Sequence, residues 1–475
     1  MTRLPPPQSL VADPFFPRLK SLVIDTTGMA FYLDKDEDLA RIVQERLAQL
    51  GLQGCAQYLE LLTAANAAAA EEMDALVAEL TIGETYFFRH KEQFDALRDI
   101  ILPDVLDRNQ ASRRLRIWSA GCATGPEPYS LAIMLKREFG VRIAGWHISI
   151  VGTDINQKFL ARAREGRYDE WAFRTMPDAI RAECFDKVGR QWQIRPEFKA
   201  FVSFQYHNLI KNRFPSLLDN IAGFDIIICR NVIIYFSRET IEELIPSFRE
   251  TLVEGGWLVM GHAEPNQELF RDFRTINTPG AVLYQKAPPA SAEPPRPVVA
   301  APVPPAPSAV VLPFPKAPPP RPRPRPAAPP AASSVAAPRP VPPPSGLAEV
   351  RELADRGQWE QAASCCDALL AVSTMDARVH FYRAMIHEQM GELESAEKAL
   401  RRAIYLDRHF VLPHYHLGLF LLRRDDTVGA SRSFRNVLSL LDRLDDAQAI
   451  VDGDDITGGQ LRETVEMHLR LIGGS

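Results

Sequence analysis

Between Ala287 and Gly346 the chain carries 24 of its 39 prolines, in runs such as PPPRPRPRPAAPP. Proline lacks an amide hydrogen and holds φ fixed, so it neither propagates a helix nor joins the interior of a sheet. A stretch this rich cannot bury a core, and a disordered, extended and semi-stiff linker is expected over 287–346. Its Arg321, Arg323 and Arg325 read first as solubilising charges of a linker, with contact to an acidic surface as the alternative. The linker divides the chain into a body before it and a body after it, and each needs a core of its own. With 46% hydrophobic residues the composition is sufficient for two or three domains.

The formal net charge of -5 shows no basic excess of the kind a dedicated nucleic-acid binder carries, so no nucleic-acid partner is expected. Cys55, Cys122, Cys184, Cys229, Cys365 and Cys366 form no C-x-x-C pair and no Cys/His cluster at zinc-ligand spacing. No metal is expected, and a reduced cytoplasmic setting fits. MTRLPPPQSL has no apolar signal core, and no uncharged apolar run reaches about 18 residues, so no membrane insertion is expected.

From Pro14 to Asn109 apolar residues recur at three- and four-residue intervals, as in LARIVQERLAQLGL and EEMDALVAELTI, which predicts an all-α unit. From Leu115 the period changes. LRIWSAG, HISIVGTDI, FDIIICRNVIIYF, GGWLVMGHA and AVLYQK are short β-rich runs alternating with helical ones. Continuous apolar strands separated by helices imply a mostly parallel sheet covered on both faces. GRQWQIRPEFKAFVSFQYHNL alternates instead, and a small antiparallel insertion near 188–206 is expected.

Beyond the linker Ala362, Ala396 and Ala430 recur 34 residues apart, as do Gly357 and Gly391, with Asp425 at the third turn position. The pattern resembles about three tetratricopeptide repeats, with LRETVEMHLRLI as a capping helix. Gly418 matches the helix-packing glycine of such repeats, whereas Val350 and Ala384 depart from it. The module is expected to offer a concave face for a protein or peptide partner. The expected domains are 1–90 (helical), 91–286 (α/β, with the insertion), 287–346 (linker) and 347–475 (repeats and cap).

The chemistry concentrates in the middle domain. RIWSAGCATGPEPYSLAIML is a strand that breaks at Gly121 and hands over to a helix, a place where nucleotide-like ligands bind. A phosphate-binding loop needs Gly-Lys-Ser/Thr, which is absent, and the dinucleotide pattern G-x-G-x-x-G is not met by Gly121 and Gly125. S-adenosylmethionine lacks phosphates and carries a positive sulfur. Its site needs backbone clearance at the first strand and carboxylates nearby, which Glu127 and Asp154 supply. Asp154, ending SIVGTDIN, can accept from ribose hydroxyls, a geometry that also serves nicotinamide cofactors.

FDIIICRNVIIYF ends a buried strand in Arg230 and Asn231 and then presents Tyr235. Charged and amide side chains at a central strand's carboxyl end belong to the ligand crevice of an α/β sheet. The Asn/Asp-Pro-Pro-aromatic tetrad of amino-directed nucleic-acid methyltransferases is absent here. LTIGETYFFRHKEQF joins the helical unit to the α/β domain; Phe87 and Phe88 read as core, leaving Thr85 and Arg89 as polar groups facing something.

Together TIGETYFFR, RIWSAGCATGPEPYS, VGTDIN, YHNL and CRNVIIYF resemble the chemotaxis receptor methyltransferases of the CheR type, over about Pro14 to Lys286. The resemblance implies a Rossmann-like methyltransferase domain. Its reaction would carry a methyl group from S-adenosylmethionine to glutamate side chains on the cytoplasmic helices of chemoreceptors, leaving S-adenosylhomocysteine. It carries cofactor contacts over to Gly83, Thr85, Arg89, Glu127, Asp154, Asn208, Leu209, Arg230 and Asn231. The family often has asparagine where this chain has Gly83, so only backbone can contribute there. Arg89 and Tyr235 are the residues it places near the transferred methyl. A non-catalytic adaptor, or a methyltransferase for another substrate, are the competing functions; the intact Arg89, Asp154, Arg230 and Tyr235 set speaks against the first, and TIGETYFFR with its helical unit against the second.

Overall fold

A computed structural model describes residues 10–287 and 346–473, apart from Ala65, Asp425, Ala447, Asp454 and Asp455. Nearly all of the linker, with Arg321, Arg323 and Arg325, and the third repeat's turn residue Asp425 lie outside the described residues.

Helices Phe16–Thr27, Asp36–Leu50, Cys55–Thr63 and Ala67–Leu80 form the N-terminal unit around Leu19, Val23, Val43, Leu47, Tyr58 and Leu76. The second begins with Asp36, Glu37 and Asp38, which complement the helix dipole, and stops at Gly51, whose φ of 70° suits glycine.

The α/β domain contains ten strands: β1 Arg114–Ala120, β2 His147–Asp154, β3 Arg167–Tyr168, β4 Phe185–Val188, β5 Gln191–Ile194, β6 Val202–Tyr206, β7 Phe224–Cys229, β8 Leu252–Met260, β9 Arg274–Thr278 and β10 Ala281–Gln285. Seven form one sheet in the order β6-β2-β1-β7-β8-β10-β9. The first five run parallel, and β10 and β9 add antiparallel pairs at one end. Along β7, Ile226 and Ile228 enter the core beneath helix Pro126–Phe139, while Ile227 and Cys229 enter the core on the opposite face. That two-sided burial explains why the strand reads as an unbroken apolar run.

The antiparallel insertion lies earlier than the sequence suggests. Its three strands, in the order β3-β5-β4, span 167–194, whereas 202–206 belongs to the main sheet as β6, parallel to β2. β6 ends the strand order and is only half-buried along its length, so its alternation imitates a hairpin.

In the C-terminal body, helices pair as Leu347–Asp355 with Trp359–Val372, Ala377–Gln389 with Leu393–Leu406, and Val411–Arg423 with Thr427–Leu441; Gly458–Gly473 follows. Ala362, Ala396 and Ala430 are wholly buried where paired helices meet. A Cβ on Gly418 would meet the Phe434 ring at 2.5 Å, so that crossing tolerates only glycine. No helix among the described residues is long and apolar enough to cross a membrane.

Candidate active site

β1 lies between β2 and β7, where the order of the sheet reverses, and the turns after these three strands meet at one end of the sheet. Gly121 follows β1 with φ 73°, and its N–H and that of Cys122 both donate to Thr153 O at 2.8 Å. A Cβ there would strike Val232 at 2.3 Å, so the glycine lets the post-β7 turn close over it. Gly125, φ 92°, caps helix Pro126–Phe139 and places Glu127 in its first turn.

Glu127 accepts from Ser119 Oγ at 2.7 Å and from Arg230 Nη1 at 3.1 Å. Burial raises its pKa, opposed chiefly by Arg230. The Arg230 side chain is 3% exposed and also donates from Nη2 to Arg89 O at 2.5 Å, fixing the linker loop to the sheet. Asn231 has φ 60°, in the left-handed region that asparagine enters more readily than most side chains, and it is held there by a brace the sequence did not reveal. The brace is Glu264, which accepts from the N–H groups of Gly261 (2.5 Å), Asn231 (3.1 Å) and Val232 (3.0 Å). Glu264 lies 33 residues beyond Asn231 in an exposed-looking loop motif, GHAEP, so no local spacing points to it.

The loop from Thr81 to His90 is anchored at both ends. Asn156 Nδ2 donates to Thr81 Oγ1 at 2.7 Å, and Phe88 N donates to Ser130 Oγ at 3.0 Å. Phe87 is fully buried among Tyr168, Phe173 and Phe185, at centroid distances of 5.0 to 5.1 Å. Phe88 and His90 take φ of 54° and 60°, and this bend turns Thr85 and Arg89 toward the sheet. Burial is the main cause that lowers the His90 pKa to about 4, and its ring lies 4.4 Å from that of His262.

An open cleft of about 720 Å³, counting solvent at its mouth, results. Thr85, Arg89, Glu127, Arg230, Asn231 and Tyr235 line it together. Tyr86 and Phe94 also line it, two aromatic residues of the same segment to which the sequence assigned no role. Tyr235 sits on the short helical turn Ile233–Tyr235, with its pKa raised mainly by burial and lowered by nearby Arg89. Phe31 of the N-terminal unit meets Tyr235 edge-on at 5.9 Å.

Four expected residues stand outside that lining. A Cβ on Gly83 would meet the Phe159 ring at 2.4 Å, so this position serves packing of the loop. Asp154 accepts from Ala123 N at 2.9 Å and Asn156 N at 2.8 Å, and burial raises its pKa to about 6. Since each carboxylate oxygen has two lone pairs, these backbone bonds leave acceptor capacity. Asn208 donates to Thr26 O at 2.8 Å and accepts from Ile210 N at 2.9 Å, tying the helical unit to the sheet. Leu209 packs against the core that contains Trp118 and Phe248.

The donor set suits an amino-acid end. Arg89 and Arg230 bring guanidinium groups to the lining, and Glu127 offers a carboxylate beside them. S-adenosylmethionine presents a carboxylate, an ammonium and a sulfonium, which these charges match.

Residues 83–282 match the family model for the CheR methyltransferase, S-adenosylmethionine-binding domain. A probable chemotaxis protein methyltransferase of Rhizobium etli is 38% identical over 238 residues, 48% of this chain and 85% of that protein. The chemotaxis protein methyltransferase of Listeria monocytogenes is 35% identical over 192 residues, 40% of this chain and 69% of the relative. A probable biofilm formation methyltransferase, WspC, of Pseudomonas aeruginosa is 29% identical over 402 residues, 83% of this chain and 91% of the relative. With the cofactor-matched charges of the cleft on one side and these relatives on the other, the chain belongs to the CheR family of S-adenosylmethionine-dependent methyltransferases.

Proposed function

We propose that the chain methylates glutamate side chains on the cytoplasmic helices of chemoreceptors, forming glutamate methyl esters in a chemosensory pathway. The observation that carries this reading is the convergence of Arg89, Glu127, Arg230 and Tyr235 on one cleft, combined with relatives named as chemotaxis methyltransferases. S-adenosylmethionine, when bound, supplies a methyl group on a positively charged sulfur and leaves as S-adenosylhomocysteine. Arg230 and Glu127 would hold its amino-acid end, with Thr85 and Asn231 beside them, and Asp154 its ribose.

A glutamate carboxyl, with a reference pKa of about 4.3, is already ionised at neutral pH, so the site needs no general base. What it must do is align the carboxylate with the methyl, exclude water and partly neutralise the incoming anion. Arg89 is the cation available for that neutralisation. Its backbone is fixed through Arg230, and its Nη1 donates to Glu84 O at 2.6 Å. Tyr235, backed by Phe31, forms a wall on the same side and orients the acceptor.

Incubation of the full chain with methyl-labelled S-adenosylmethionine and receptor cytoplasmic fragments tests this directly. Base-labile label on receptor glutamates is expected. Label that survives base, or that appears on another amino acid, refutes carboxyl methylation.

A further inference from the structure

The repeat array closes around part of the catalytic body. The connection between β6 and β7 runs into a surface lined by the first helix of each repeat pair. Leu217 and Ala222 from that connection are buried in one apolar cluster with Trp359 and Tyr382. Leu217 N donates to Asp355 Oδ1 at 2.8 Å, at the end of the first pair's leading helix. Asn220 Oδ1 accepts from Gln389 Nε2 at 2.9 Å, at the end of the second pair's leading helix. Tyr415, on the third, packs against the same cluster.

Arg116 supports this contact from within β1. It is 4% exposed, and its Nη2 donates to Asn220 O at 3.2 Å and Oδ1 at 3.0 Å, while Nη1 donates to Gln389. Its guanidinium lies 4.7 Å from the Phe224 ring centre and 6.0 Å from that of Trp359. Burial lowers its pKa to about 10, with Asp225 and Glu388 opposing. Backbones also meet: Gly223 (φ 62°) and Gly357 (φ 71°) are so close that a Cβ on either would lie 2.7 Å from the other's Cα. A Cβ on Gly391 would lie 3.1 Å from His147. A desolvated arginine and a buried tryptophan are features of an interface centre, where binding energy concentrates, and the apposed glycines let the two backbones come together there.

We propose that the groove of the repeat array is a binding site for the catalytic body's own 215–223 loop, so that the array clamps this loop in cis and its groove is closed to other peptides while clamped. The same first-helix surface that such arrays offer to ligands is here filled by Leu217, Asn220 and Ala222. The covalent connection is about 60 residues by sequence, long enough for the array to leave without unfolding either body.

The test uses the full chain with a protease site inserted in 287–346. After cleavage, the two halves of the wild type are expected to co-elute on size exclusion at micromolar concentration. Leu217→Asp, on the catalytic side, places a charge in the shared apolar cluster. Gln389→Lys, on the repeat side, sets a cation against Arg116. Each is expected to weaken association by about 100-fold or more, as for other buried charges left unpaired, and to release the halves. Circular dichroism of each released half reports that it remains helical. Release by either folded variant supports the clamp. Separation of the wild-type halves, or co-elution of both variants, overturns it.

Discussion

The Glu127–Arg230 pair responds unequally to loss of either partner. Its arginine side chain is 3% exposed and its carboxylate side chain 15%, so removing one member leaves a buried charge alone, at a cost of about 3–5 kcal/mol. The two cases part because a carboxyl can take up a proton, whereas a guanidinium with a reference pKa above about 12 cannot. Glu127→Leu therefore exposes the chain to the full penalty. For a domain of this size each kcal/mol shifts Tm by roughly 2–4 °C, so a fall of roughly 6–20 °C is expected. Arg230→Met leaves Glu127, whose pKa burial already raises, without its chief opposing cation. A carboxyl whose folded pKa lies above its unfolded value binds protons more tightly when folded, so stability rises as pH falls through that window. Arg230→Met should lose less than Glu127→Leu and regain stability relative to wild type as pH is lowered from neutrality toward the ordinary carboxyl range, whereas Glu127→Leu should not. Scanning calorimetry of the cofactor-free full chain measures both. Equal losses, or the same pH profile for the two variants, would refute the asymmetry.

Two further variants separate binding from turnover. Arg89→Ala should reduce receptor methylation by about 100-fold or more while moving Tm little, because its side chain faces the cleft; a matching loss of Tm and activity would count against its role as anion holder. Asp154→Asn should weaken S-adenosylmethionine binding in titration calorimetry. In the wild type, affinity should decline as pH falls through about 6, where this carboxyl gains its proton, and the Asn variant should lack that step.

How far the fold could be read in advance depended on burial. β1, β2, β7 and β8 are covered on both faces and so appear as plain apolar runs, and the small residues at 362, 396 and 430 mark helix crossings by their spacing. β6 has partial cover and so resembles a hairpin strand in sequence, because its alternation records exposure and not the direction of its neighbour. Within the site, Arg230, Asn231 and Tyr235 are legible as polar groups ending an apolar strand and Glu127 as a carboxylate after the glycine turn, whereas the roles of Thr85 and Arg89 rest on the family resemblance. Glu264 was not, since its partners are backbone amides that carry no side-chain signature. Gly357 and Gly391 read as turn glycines, which they are, with φ of 71° and 76°. Their second duty, lying against Gly223 and His147, depends on a chain segment more than a hundred residues away and has no local trace.

The edge-on contact of Phe31 with Tyr235 has a consequence for exchange of parts between relatives. The helical unit is joined to the site by this ring pair and by the Asn208–Thr26 bond, so it is not an interchangeable attachment. A chimera that grafts another protein's leading helices onto this α/β domain would inherit a mismatched wall beside the acceptor unless positions 208 and 235 travel with the graft.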